Sequence, residues 1–289
     1  MERRLIEGAA PLPAPNAEIA QAYLDEVRAV RARREARVDW RGAAWLGLVD
    51  AAVLSVYVTI IVISAGSASV PSSFIVFVGV YLIWMQLANQ RREGYGVIGH
   101  GGRRWSVAIA IVLCAVLVMV LAAAFISGIA EVEIPFVVKL VPGALALLIL
   151  GSTALRSLRA SSATAEPVER IPLTFGARAA TVVTGAVLAV GVWVLSVGDE
   201  LLRPFFGMLL MLCYLGWWVV ARVTERMPAL GAVWAWPQWT AFATSGGIIA
   251  AILPVQVLGA TSVLGLGPVA AAFAFGLSVG SAFLDGRDG

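Results

Sequence analysis

Eight apolar runs of roughly twenty residues constrain this 289-residue chain more than any other feature. They cover about 43–64, 71–90, 105–128, 134–152, 176–197, 202–221, 239–258 and 263–284. A helix of about 20 apolar residues crosses the hydrocarbon core of a bilayer. In lipid, only helices and closed barrels satisfy every backbone polar group internally. Composition points the same way: 60% of residues are hydrophobic and 13% charged, against about 45–50% and 25% in soluble domains. Disorder, collagen, a disulfide scaffold and a nucleic-acid module are thereby excluded. The formal net charge of +3 is carried between the apolar runs and not on a soluble face, so no nucleic-acid partner is expected. The first run follows a long polar and proline-containing stretch, too late for a cleavable signal peptide, and is expected to remain as an anchor.

Charge placement orients the spans, because basic residues favour the cytoplasmic side. Arg91, Arg92, Arg103 and Arg104 follow the second run, Arg156, Arg159 and Arg170 the fourth, and Arg222 and Arg226 the sixth. The alternate connections carry Glu131 and Glu133, then Asp199 and Glu200, or no charge. Eight spans with both termini in the cytoplasm leave only Lys139 and Arg203 on the outer side. Every Trp except Trp193 then lies toward the inner face. The near-exclusive use of Arg over Lys, with abundant Ala, Val and Gly, suggests a GC-rich bacterial coding sequence. The expected location is therefore the bacterial cytoplasmic membrane.

Residues 1–41 form a cytoplasmic arm. Its PLPAP segment reads as flexible, and Asn16 is placed to cap a helix that carries Glu18 in its first turn. Ile19, Tyr23, Val27 and Val30 recur at helical spacing and draw an apolar stripe. Arg28, Arg31, Arg34, Arg37 and Arg41 follow, so the helix is basic as well as amphipathic. Anionic lipid at the cytoplasmic face is one expected partner, each basic residue contributing about 1 kcal/mol near such a surface. A cytoplasmic protein is the other.

An internal repeat divides the membrane part. A shift of 134 residues brings Gly42 onto Gly176 and Ala52-Val53-Leu54 onto Ala186-Val187-Leu188; a shift of 133 brings Tyr81-Leu82-Ile83-Trp84 onto Tyr214-Leu215-Gly216-Trp217. The expected fold is an all-α polytopic membrane helix bundle of eight transmembrane helices. They form two parallel four-helix repeats, 42–152 and 176–289, joined by a cytoplasmic linker at 153–175. An even number of spans per half makes the repeats parallel.

Few polar residues fall inside the spans, and those few are the candidate sites. Asp50 lies about 10 Å into the first run at 1.5 Å per residue. An acid at mid-helix costs about 2.5–3.5 kcal/mol on insertion scales, so it is expected to face a partner, a wet cavity or another helix, either as a helix clip or an acid held neutral by burial, or as a proton- or cation-coupling group. Tyr57 extends its stripe, Gln86 and Asn89 on the second run are candidate hydrogen-bond partners, and Arg178 could bend inward to reach it. Thr244 and Ser245, beside Gly246-Gly247, suggest either a discontinuous helix lining a site or, as such segments more often are, a packing face. Lys139, near the outer end of its span, is either a snorkelling side chain or a positive site at an outer mouth. Ala272, Gly276 and Gly280 draw a small-residue face suited to internal packing or to a second copy of the chain.

Catalytic signatures are missing from the sequence. His100 is the single histidine, Cys114 and Cys213 define no metal spacing, and no P-loop, nucleophile elbow or CxxC occurs. No cofactor, metal or enzymatic activity is expected. The leading expectation is a permease-type component carrying a small molecule or ion through a site between the halves. The alternative is a non-enzymatic scaffold or assembly subunit that docks a cytoplasmic partner through the N-terminal helix.

Overall fold

The structure, a computed structural model, describes residues 16–36, 39–65, 74–95, 135–161, 171–196, 202–223, 229–257 and 265–286, with isolated positions between 111 and 118. The described residues are almost entirely helical. Helix α1 is Ala17–Ala36, α2 Trp40–Ala65, α3 Phe74–Gly94, α4 Phe136–Ala160 and α5 Phe175–Ser196. These are followed by α6 Leu202–Val223, the single turn α7 Leu230–Val233, α8 Trp236–Val257 and α9 Gly267–Ala282. The chain divides into two compact units, Met1–Val38 and Asp39–Gly289.

The first unit contains α1. The backbone carbonyl of Asn16 accepts from Ala20 N at 2.9 Å and so opens the helix. Tyr23, Val27 and Val30, three residues of the expected stripe, are exposed together with Leu24.

Among the described residues of the second unit, five helices are long and apolar enough to cross a membrane: α2, α4, α5, α6 and α8. The chain is in this respect a membrane-embedded helix bundle. Two other expected spans are helical but fall short of that measure. The last turns of α3 carry Gln86, Asn89, Gln90, Arg91, Arg92 and Glu93. The 16 residues of α9 span about 24 Å, less than a hydrocarbon core of about 30 Å. The run at 105–128 lies outside the described residues apart from a few positions.

Local chemistry sets the helix limits. Asp39 caps α2, its carboxylate accepting from Gly42 N at 2.7 Å, so the helix begins before the expected boundary at 42. Thr174 caps α5 in the same way, accepting from Ala177 N at 3.3 Å. Helix α4 runs to Ala160, two turns into the segment expected to be linker. Ala154, Leu155, Arg156 and Leu158 are good helix formers, and Thr153 and Ser157 turn their hydroxyls back onto Leu150 O and Thr153 O.

Helices α2 and α4 make one extensive pairing and α5 and α9 the other. Glycine permits both. A Cβ on Gly143 would stand 1.9 Å from Thr59 Oγ1, and one on Gly185 would stand 2.1 Å from Ser278 Cβ. Between lipid-facing helices no apolar burial drives association, so such close approach and its dispersion contacts carry the packing. Helices α3 and α8 and the turn α7 fill the middle, around Phe77, Trp84, Trp234, Ile249 and Leu253. Much of α4 and α6 remains outward-facing, including Leu148, Phe205 and Leu212.

One expectation is corrected here. Helix α8 passes unbroken through Gly246 and Gly247, with Pro254 inside its last turn. Gly247 meets nothing within 4 Å, and a Cβ on Gly246 would make only ordinary contact with Val80 at 3.5 Å. Flanking Ala, Ile and Phe residues hold the helix through the glycine pair, so it exposes no free backbone groups for a site.

Candidate functional site

Asp50 sits ten residues after Trp40, roughly 15 Å along α2. Helix α3 runs back alongside: Asp39 N donates to Tyr95 O at 3.1 Å, and Gly42 lies against the Tyr95 ring, so α2 starts where α3 finishes. This antiparallel arrangement decides which side chains meet. Side chains tilt toward the N-terminus of their helix, so Arg92, near the end of α3, leans back along it. Asp50 leans toward the start of α2, and the two converge.

The Arg92 guanidinium donates to Asp50 Oδ2 and forms an ion pair with it. Trp84 Nε1, two turns earlier on α3, donates to Asp50 Oδ1 at 2.9 Å. The second nitrogen of the Arg92 fork reaches Asn89 Oδ1 at 2.8 Å. Both oxygens of the carboxylate are thus engaged, and its side chain is only 11% accessible, against 22% for Arg92. A part-buried carboxylate bound by a guanidinium and an indole N–H is a charge-assisted clip between two helices. It holds their register and engages both oxygens of the acid.

Arg91 faces the other way, as expected of adjacent residues about 100° apart on a helix. It is buried, and its Nη1 donates to Ala232 O at 2.9 Å and Trp234 O at 2.8 Å, while Nε donates to the Tyr95 hydroxyl at 3.1 Å. Gln90 accepts from Gly231 N at 2.9 Å. One end of α3 is therefore pinned to α2 by Arg92 and to the turn α7 by Arg91 and Gln90. Gly231 is needed there, because a Cβ would lie 1.9 Å from Leu87 O.

An aromatic cluster continues inward from the clip. Trp84 meets Trp239 edge-on at 5.3 Å, and Trp239 meets Trp234 edge-on at 5.7 Å; Phe242 lies 6.1 Å from both Trp84 and Trp234. Such edge-to-face pairs are favoured by ring electrostatics. Trp234 Nε1 then donates to Thr181 Oγ1 at 2.9 Å on α5.

The candidate residues separate accordingly. Asp50 is at the centre of the clip, and Asn89 joins it through Arg92 and not through the acid. Gln86 is exposed, so it does not supply the partner expected of it. Arg178 stacks over Phe283 at 5.9 Å and makes no hydrogen bond to Asp50. Tyr57 is buried, stacked on Phe77 at 4.1 Å and tilted against Tyr81 at 4.9 Å, which makes it a core aromatic. Ser245 is fully buried and donates to Ala241 O of its own helix, and Thr244 is exposed; neither is a partner of Asp50. Lys139 is partly buried in the first turn of α4 and belongs to no ion pair among the described residues. Of the docking arginines, Arg28 pairs with Asp25 at 3.2 Å and Arg41 is exposed in the first turn of α2. Arg31 and Arg34 are on α1, and Arg37 lies outside the described residues.

Arg92, Trp84 and Arg91 are residues of the candidate site that the sequence alone did not assign to it. The two arginines read as loop charge marking the cytoplasmic side, and Trp84 read as an interfacial ring. A usable signal was present: an arginine in the last turn of a helix leans back toward that helix's interior. No family model, curated protein or solved structure matches the chain.

Proposed function

We propose that the chain is a non-enzymatic scaffold or assembly subunit of the bacterial cytoplasmic membrane, which presents α1 to a cytoplasmic protein partner. The observation that carries this reading is the engagement of both Asp50 oxygens by Arg92 and Trp84. A carboxylate held this way serves as a helix clip, and a proton- or cation-coupling role would require it to exchange those partners in every cycle. The unbroken course of α8 removes the second motive for a permease site. Exposure of Tyr23, Val27 and Val30 on α1 favours a docking role for that helix.

The finer architecture belongs to the same proposal: eight spans, both termini in the cytoplasm, and two parallel halves of four helices. Support comes from the pairing of α2 with α4 and of α5 with α9, the first and last helices of each half. Thr184 and Tyr214, which correspond to Asp50 and Tyr81 at offsets of 134 and 133, also lie together, 3.2 Å apart.

Affinity purification from the native membrane tests the reading. A stoichiometric protein partner is expected with the full chain, and its loss is expected when residues 1–36 are removed. Solute or ion flux in proteoliposomes of the purified protein, abolished by Asp50→Asn in a folded variant, would overturn it in favour of transport.

A further inference from the structure

Helices α5 and α9 approach each other closely at Gly185 and Ser278, yet no hydrogen bond joins them among the described residues. The corresponding pair, α2 and α4, has one: Ser55 Oγ donates to Gly143 O at 2.7 Å. Between α5, α8 and α9 lies a cavity of about 10 Å³, lined by Thr181 and Thr184 from α5, Ser278 and Ser281 from α9, and Gln238 and Trp234.

These hydroxyls do not bond directly across the gap because each gives its proton to a carbonyl of its own helix. Thr181 donates to Ala177 O at 2.8 Å, Thr184 to Ala180 O at 2.8 Å, Ser278 to Ala274 O at 2.9 Å and Ser281 to Ser278 O at 2.9 Å. Every hydroxyl proton is thus committed within its own helix. Trp234 Nε1 fills one lone pair of Thr181. Because the Thr184 proton goes to Ala180 O, the Tyr214 hydroxyl is the donor in their 3.2 Å contact. Gln238 is committed too, its amide nitrogen donating to Ser281 O at 2.6 Å and to Leu284 O at 3.4 Å, and its oxygen accepting from Ala235 N at 2.9 Å. Ser278 Oγ and Ser281 Oγ retain lone pairs that no donor fills among the described residues. The lining offers acceptors on both helices and no proton to share.

We infer that one water molecule occupies this cavity and donates its two protons to a threonine oxygen of α5 and to Ser278 Oγ, the α9 hydroxyl that stands against α5 at Gly185, forming the polar bridge that the helix pair otherwise lacks. A water needs roughly 10–15 Å³ of this kind of volume and two to four polar partners, which the site supplies. Larger ligands do not fit. A cation would carry an uncompensated charge into a lining without a carboxylate, a far greater penalty than a neutral donor incurs.

Two measurements test the inference. In an experimental structure at a resolution that orders solvent, a single peak is expected within hydrogen-bond distance of one threonine oxygen of α5 and one serine oxygen of α9. An empty cavity overturns the inference. In thermal unfolding of the detergent-purified full chain, Ser278→Ala removes one acceptor of the bridge and is expected to lower Tm by about 2–4 °C. Without a bridging water, the serine proton only bonds back onto its own helix, an arrangement neutral or slightly unfavourable to the helix. An unchanged or raised Tm for Ser278→Ala would therefore also overturn it. Thr184→Ser keeps the hydroxyl and is expected to retain the solvent peak; loss of the peak in that folded variant counts against the assigned partners.

Discussion

Asp50 and Arg92 form a largely enclosed ion pair, and their energetics are those of a pair. Removing one partner of a buried ion pair leaves the other uncompensated and typically costs about 3–5 kcal/mol, whereas removing both is often close to neutral. Asp50→Asn and Arg92→Gln are each expected to lower the thermal transition by on the order of 10 °C. The double variant should recover more than half of that loss. A coupling energy above about 1 kcal/mol in the double-mutant cycle is the outcome that identifies a clip; additive effects would show that the two charges act separately. Trp84→Phe keeps the ring among Trp239 and Phe242 and removes only the donor to the carboxylate, for an expected loss of about 1.5–3 kcal/mol, the range for hydrogen bonds to charged groups. Asp50 was legible in the sequence because an acid within an apolar run is costly. Its partner was not, because Arg92 is counted with the loop charges until the lean of its side chain and the antiparallel course of α2 and α3 are known.

At the level of helices, the glycines divide into those that a neighbour requires and those that none does. A Cβ on Gly143 would collide with the Thr59 hydroxyl and come within 2.7 Å of Ser55 O, so Gly143→Ala must push α2 and α4 apart. The same holds for Gly231→Ala against the backbone of Leu87. Gly247 meets nothing within 4 Å, and Gly247→Ala is expected to stabilise α8 by up to about 1 kcal/mol, the helix-propensity difference between these residues. Thermal shifts of opposite sign for Gly143→Ala and Gly247→Ala would check both. A destabilising Gly247→Ala would revive the broken-helix reading. Apolar runs made most of these helices legible, but they did not reveal which glycines mark a crossing. Gly276 stands in a small-residue pattern that suggests a crossing and meets nothing within 4 Å, whereas Gly143, in no such pattern, lies against Thr59; only the neighbouring helix distinguishes them. The extension of α4 to Ala160 was hidden for a related reason: serine and threonine read as linker until their hydroxyls are seen bonded back onto the helix.

On the scale of the molecule, the bundle and α1 are separate compact units, and two expectations follow. The first concerns topology. From the distribution of basic residues, the C-terminus and the 153–175 segment are expected on one side and the 129–133 connection on the other. Reporter fusions at Gly289 and within 129–133 should accordingly read cytoplasmic and periplasmic, and a periplasmic C-terminus would require an odd number of spans. The second concerns the arm. The residues that hold the bundle together, from the Asp50 clip to the aromatic cluster around Trp84 and Trp234, all lie beyond residue 38. Asp39, which caps α2, lies beyond it too. Removal of residues 1–36 deletes α1 and leaves that cap and the basic Arg37 and Arg41 in place. Membrane insertion and the thermal transition should then match the full chain to within about 1 °C, since less than 0.5 kcal/mol of bundle stability is removed. A drop of several degrees would mean that α1 packs on the bundle and that its apolar face is occupied within the molecule. An unchanged transition combined with loss of a stoichiometric partner would assign that face to another protein.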